Sequence, residues 1–135
     1  MDNCIFCKIV KGKIPSHTIY EDEELKAFFD IQPSTPGHTL IIPKEHYENI
    51  LDVPEDLLLR ITSLAKKLAA HYKKKEGYTA FNIIQSSGRE ANQDVMHFHM
   101  HLVPRYEGDG LSLWADMKKG VKPDFEKLRE KLELE

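Results

Sequence analysis

The chain has 135 residues, 41% of them hydrophobic and 30% charged, a balance that excludes a wholly disordered or collagen-like polypeptide and predicts one domain over residues 1–135. Nineteen Lys and Arg against 22 Asp and Glu leave a net charge of −3, so no overall positive field draws the molecule to nucleic acid or an acidic membrane, although a single bound phosphate is compatible with it. The opening Met1-Asp2-Asn3-Cys4 lacks the basic-then-apolar order of a secretory signal, and no apolar run nears the roughly 20 residues of a membrane span, so a cytosolic location is expected.

Cys4 and Cys7 have C-x-x-C spacing, which in a reducing compartment points to a metal or redox site rather than a structural disulfide. Around them Ile5, Phe6, Ile9 and Val10 recur at helical spacing until Gly12, predicting a short helix over Cys4–Lys11. His17–Tyr20 and Leu25–Phe29 are β-prone and flank the acidic turn Glu21–Glu24, a hairpin pattern. The run Pro33-Ser34-Thr35-Pro36-Gly37 then breaks the chain before a third strand, His38–Ile42, closed by Pro43.

A long helix is predicted from Pro54 to Lys75, where Leu57, Leu58, Ile61, Leu64, Ala65, Leu68, Ala69 and Tyr72 form one apolar stripe. Pro54 suits its first turn and Gly77 its end. Lys73, Lys74 and Lys75 read as cations complementing the helix C-terminus, not as a nucleic-acid patch. Tyr78–Gln85 and Val95–Val103 are two further strands joined by the polar loop Ser86–Asp94, and a short helix after Pro123 carries Phe125, Leu128 and Leu132 on one side. The class is α+β.

In Val95–Val103 the side chains alternate, so Met96, Phe98, Met100 and Leu102 share a face directed at the long helix while His97, His99 and His101 share the other. Imidazoles spaced about 7 Å apart along one strand are costly as cations together, so some stay neutral at neutral pH. A neutral imidazole is a nucleophile or a metal ligand, and two readings compete: a metal held by the strand histidines, or nucleophilic catalysis on phosphorus. His38, following a Pro-Gly turn, is placed to orient an imidazole across the sheet and to hold its tautomer. His17 and His71 read as surface histidines.

At His97-Phe98-His99-Met100-His101-Leu102-Val103 the sequence resembles the histidine triad (HIT) family of nucleotide hydrolases and transferases, whose motif alternates three histidines with apolar residues. The resemblance extends to Cys4-Ile5-Phe6-Cys7-Lys8-Ile9, Phe28-Phe29-Asp30-Ile31, Pro36 through Lys44, and Pro104-Arg105, and so covers most of the chain. It implies a five-stranded antiparallel sheet with one long and two short helices, usually in a homodimer whose sheets join into ten strands. It also implies that His99 attacks the α-phosphate to form a nucleotidyl-histidine, that His101 helps protonate the leaving group, and that His38 bonds the far nitrogen of His99. Histidine at 101, where the transferase branch has glutamine, implies hydrolysis. The resemblance further places the base pocket at Ile5, Phe6, Ile9, Phe28 and Ile31, with Asp30 on the ribose; each apolar residue alone reads as core, and Asp30 alone as a turn cap.

The loop before the triad resembles the family's phosphate loop, with Gln93 and Ser86 as substrate-binding candidates. Ser86, Asn92 and Asp94 depart from the family pattern, and an aspartate at 94 repels a phosphate unless it points away or is protonated. A structural zinc held by Cys4, Cys7, His46 and His97 is implied in the same way, closed and tetrahedral, with no catalytic metal required. The C-terminal segment around Trp114 is expected to reach the partner subunit's site. Taken together, the resemblance implies a purine nucleotide hydrolase acting on phosphoramidates or dinucleoside polyphosphates, the alternatives being a nucleotide-binding module with slow turnover and a zinc metalloenzyme using the strand histidines.

Overall fold

In the computed structural model, which describes residues 3–114, 117 and 120–134, five strands join into one antiparallel sheet. They are β1 (Thr18–Glu21), β2 (Leu25–Phe29), β3 (Thr39–Pro43), β4 (Ala80–Gln85) and β5 (Met100–Arg105), in the order β1-β2-β3-β5-β4. Three α-helices accompany it: α1 (Ile5–Val10), α2 (Glu55–Glu76) and α3 (Phe125–Leu132). This is the predicted architecture of a five-stranded antiparallel sheet with one long and two short helices.

The two-residue period of the strands sorts the side chains onto two cores. Leu25 and Ala27 of β2, Ile41 of β3, and Met100 and Leu102 of β5 pack with Phe98 against the α2 stripe Leu57, Ile61, Leu64, Ala65, Leu68 and Tyr72. Burying each Leu or Ile of that stripe contributes about 1.5–3 kcal/mol, which holds the helix more strongly than its propensity does. Opposite them, Phe28 of β2 and Leu40 and Ile42 of β3 pack against Phe6 and Ile9 of α1. α2 ends at Gly77, whose φ of 70° allows its N–H to reach Lys73 O. Tyr72 near that end donates to Thr39 Oγ1 at 2.7 Å, since the threonine hydroxyl is itself spent on Gly37 O.

The α1 core leaves His101 on its side of the sheet, because His101 pairs with Leu40 across β3 and β5. The bend before β3 depends on Gly37. Its φ is +93°, and a Cβ there would lie 2.8 Å from the Tyr78 hydroxyl oxygen and 3.2 Å from Pro104. Tyr78 Oη, in turn, donates to Pro36 O at 2.6 Å. The residue that positions His38 is therefore one that no side chain can replace without movement.

The clearest departure from the sequence pattern is the triad strand. Residues 95–99 are not in the sheet, and β5 runs instead from Met100 through Pro104 to Arg105. Its ladder with β4 spans Ala80↔Arg105 to Gln85↔Met100, and its ladder with β3 ends at Ile41↔Met100 although β3 continues to Pro43, which has no N–H to donate. Residues 95–99 are held by loops instead, with Phe98 N–H donating to Tyr47 O at 2.6 Å. The predicted faces survive for Phe98, Met100 and Leu102, but Met96 is absent from the α2 core. The terminal helix forms over α3 as predicted, yet it buries none of its residues, and Phe125 and Leu132 are exposed.

Candidate active site

A cavity of about 300 Å³ opens between α1, the end of β2 and the triad segment, at the lower end of the range for small-molecule sites. Ile5, Phe6 and Ile9 line it from α1, Phe28 with Asp30 and Ile31 from the end of β2, and His99 and His101 from the triad. The phenyl ring of Phe6 meets His99 edge-on at 5.1 Å between centroids and Phe28 at 5.7 Å. Phe6 is thus both core, as its 6% exposure requires, and wall.

The hydrogen bonds assign a tautomer to each histidine here. His99 Nδ1 lies 2.8 Å from His97 O, and because a carbonyl only accepts, Nδ1 carries the proton and Nε2 presents its lone pair. Ser34 N–H donates to His38 Nδ1 at 3.0 Å, so neutral His38 holds its proton on Nε2. That nitrogen is 2.9 Å from His101 Nδ1, which must accept; neutral His101 then bears its proton on Nε2. A backbone N–H outside the motif thereby sets His101 as a donor beside the lone pair of His99, with the two rings 5.0 Å apart. Burial keeps His38 and His101 neutral: it pushes His101 down to about 4, with His99 and His38 adding to the effect, and lowers His38 against the opposing pull of Asp30.

His38 therefore bonds His101, which corrects the expected pairing with His99; β3 and β5 are neighbours, whereas His99 precedes the sheet. Asp30 lines the cavity and acts as the turn cap. Oδ1 accepts from Gln32 N–H at 2.9 Å as a turn cap, while Oδ2 lies 3.7 Å from His38 Nε2. Ser86 and Gln93 do not line the cavity. Gln93 is spent on the loop itself: Oε1 accepts from Gly88 N–H at 2.8 Å, and Nε2 donates to Glu48 O at 2.7 Å and Val95 O at 3.0 Å. Asp94, expected to repel a phosphate unless it pointed away, points in: Oδ1 is 3.5 Å from His99 Nε2.

On the other side of Phe6, Cys4, Cys7, His46 and His97 bring four donor atoms within 4.8 Å of one another. His97 Nδ1 is 3.4 Å from Cys4 Sγ, 3.6 Å from Cys7 Sγ and 3.2 Å from His46 Nδ1, and Cys7 Sγ is 3.4 Å from His46 Nδ1. A tetrahedron with Zn–S of about 2.3 Å and Zn–N of about 2.0–2.1 Å has S···N edges of about 3.5 Å and N···N edges of about 3.3 Å, so the donor set fits such an ion. His97 Nε2–H donates to Pro43 O at 2.8 Å, which turns the Nδ1 lone pair toward the thiols. Burial pushes His97 down to about 4, and burial followed by the nearby Cys4 raises the Cys7 thiol.

The HIT domain family model matches residues 11–108, a span that contains His38, His46 and all three triad histidines. The chain belongs to the HIT family. It is 49% identical over 107 residues to an uncharacterized HIT-like protein of Methanocaldococcus jannaschii, covering 79% of this chain and 82% of that protein. It is 42% identical over 127 residues to an adenosine 5'-monophosphoramidase of Saccharomyces cerevisiae, covering 93% and 75%. Among solved structures, a zinc-bound histidine triad family protein of Mycobacterium smegmatis superposes with a TM-score of 0.79 at 38% identity, covering 83% of this chain and 81% of that one.

Sequence reasoning missed several parts of this HIT site. Ile14, Pro15, Ser16 and Val95 also line the cavity; the first three sit in a loop with no periodic signal. Ser34 contributes through its backbone, which no side-chain pattern reports. Arg105, read as an extension of the motif, anchors the loop after β5: Nε and Nη2 donate to Asp109 at 2.7 and 3.0 Å, and Nη1 to Asn82 Oδ1 at 2.8 Å.

Proposed function

We propose that this HIT protein hydrolyses purine nucleoside phosphoramidates or dinucleoside polyphosphates and releases a nucleoside monophosphate through a nucleotidyl-His99 intermediate. The observation that carries the reading is the lone pair of His99 Nε2 facing the cavity, opposed at Nδ1 by a 2.8 Å bond to His97 O that supports the positive charge the ring acquires as it attacks. His101 Nε2–H supplies the proton donor for the departing group, and His38 holds its tautomer. Ile5, Phe6, Ile9, Phe28 and Ile31 would hold the base and Asp30 the ribose hydroxyls, the usual division between an apolar wall and a few polar fixtures. Attack by an imidazole lone pair requires no catalytic metal. The kinship with a yeast phosphoramidase at 42% identity supports the same chemistry.

The Cys4, Cys7, His46 and His97 cluster is assigned to a structural zinc that ties α1 to the sheet. Edge strand β4, with Ile83 exposed, is the surface through which two copies would join sheets as a homodimer in the cytosol. A slowly turning nucleotide-binding module is the second reading, favoured by the Asp94 carboxylate 3.5 Å from His99 Nε2. The deciding experiment measures AMP release from adenosine 5'-phosphoramidate and from diadenosine tetraphosphate, with intact-mass detection of an adenylylated protein. Turnover with an adduct that disappears in His99→Ala supports hydrolysis; AMP binding without turnover or adduct selects the binding module.

A further inference from the structure

Asp94 is left without a role by the hydrolytic reading, yet its place is well defined. Gln93 beside it is 4% exposed and spends its amide on three backbone groups, so the chain entering Asp94 is clamped. The Asp94 side chain is 80% exposed, but its Oδ1 sits 3.5 Å from His99 Nε2. Among the described residues, the cavity there is lined by two carboxylates, Asp30 and Asp94, and by no Lys or Arg. The adjoining depression, which shares Ile5, Asp94 and Val95 with it, adds Glu48 and again no Lys or Arg. Neighbouring histidines do not compensate, since burial holds His101 and His38 neutral.

We propose that Asp94 is a specificity-determining residue that selects substrates by the charge of the leaving group, favouring phosphoramidates that release an amine over dinucleoside polyphosphates. The proposal rests on the hydrolytic reading and deepens it. In the first step the His99 Nε2 lone pair forms a bond to phosphorus as the bond to the leaving group breaks. With a phosphoramidate the nitrogen takes one proton, passed from solvent through His101 Nε2–H, and carries a positive charge while the P–N bond is still intact; as that bond breaks the bonding pair goes to nitrogen, which leaves as a neutral amine. With a polyphosphate the pair stays on oxygen and the group leaves as a polyanion. Asp94 attracts the positive charge on the protonated nitrogen before the bond breaks and repels the polyanion, and no described Lys or Arg lining either cavity offsets that repulsion. The α-phosphate is common to both substrates, so its own repulsion by Asp94 cancels in the ratio of their rates. At water-like screening a unit charge about 4 Å away changes a rate by roughly fivefold.

The test compares kcat/KM for adenosine 5'-phosphoramidate and diadenosine tetraphosphate in wild type, Asp94→Asn and Asp94→Glu. The exposure of Asp94 makes all three expected to fold. Asp94→Asn is expected to shift the ratio toward the tetraphosphate by about tenfold, Asp94→Glu to keep the wild-type ratio, and high salt to narrow the ratio in wild type but not in Asp94→Asn. A ratio unchanged in Asp94→Asn, or both substrates changing equally, overturns the proposal. Binding of AMP and adenosine 5'-tetraphosphate in a His99→Ala background separates the two ideas. If wild type turns over neither substrate yet Asp94→Asn still tightens the tetraphosphate alone, the hydrolytic reading fails and the charge filter stands as a binding filter; if neither affinity ratio nor rate ratio moves, the filter falls.

Discussion

His97 and His99 are two residues apart, both nearly inaccessible, and both flank the ring of Phe6, yet they offer opposite nitrogens to their surroundings. His97 gives Nε2–H to Pro43 O and turns Nδ1 to a pair of thiols; His99 gives Nδ1–H to His97 O and turns Nε2 to an open cavity. A carbonyl oxygen takes one proton in each case, and which ring nitrogen it meets decides whether the free lone pair faces a closed cluster of soft donors or a space large enough for a substrate. Two identical side chains on one short segment are thus separated in chemistry by backbone acceptors alone.

The largest effect that would sharpen this contrast is the loss of one lone pair at a time. His99→Ala should lower AMP release by at least about 10³-fold, as removal of a covalent nucleophile does elsewhere, while zinc content by atomic spectroscopy stays at the wild-type level. Cys7→Ser should do the reverse, losing the metal and lowering the melting temperature by on the order of 10 °C, with any loss of turnover traced to α1 and its wall residues. If Cys7→Ser melts like wild type and the purified protein carries no zinc, the cluster is only a reduced thiol pair beside two histidines, and the contrast between the two lone pairs loses its closed half.

A smaller effect is expected at Gly37. Gly37→Ala places a Cβ against the Tyr78 hydroxyl at a φ of +93° and should cost about 1–3 kcal/mol in denaturant unfolding. Because His38 follows directly, turnover should fall further than stability alone explains, with metal content unchanged.

The smallest is the pH dependence of stability. Burial lowers His101 from 6.5 in the unfolded chain to about 4 in the folded one, so the unfolded state binds a proton that the folded state does not. The His101 contribution is complete above pH 6.5 and is lost as pH falls from there toward 4. His101→Asn should flatten the fall in denaturation midpoint over that window, and an equal slope in both proteins would show that His101 is no more buried in its neutral form than in the unfolded chain.

Some of this was legible early because it depends on periodicity. The α2 stripe from Leu57 to Tyr72 with its Gly77 stop, and the opposition of Met100 and Leu102 to His101, follow from the helix and strand repeats, which the structure obeys. The Cys4, Cys7, His46 and His97 set came from likeness to a family motif, not from spacing, since two of its members are scores of residues from the others. Where β5 begins was not legible: residues 95–99 alternate as a strand does, but pairing ends at Met100, opposite Gln85 of β4 and Ile41 of β3. Phe125, Leu128 and Leu132 formed the amphipathic face their spacing predicts, but periodicity names a face and not what covers it.

By itself the sequence determined that this chain would build an α+β sheet with an apolar side against one long helix, and that three imidazoles would gather on the opposite side; both rest on side-chain chemistry repeating at 2 or 3.6 residues. Only the tertiary structure decided which nitrogen of each ring is free, that His38 serves His101, that Gln93 braces its loop, and that Asp94 turns toward His99. The physical reason is that those choices are made largely by backbone groups, Ser34 N–H, Pro43 O, His97 O and Glu48 O. Every residue carries such groups, and they become distinctive only when the fold brings one of them within 3 Å of a particular side-chain atom.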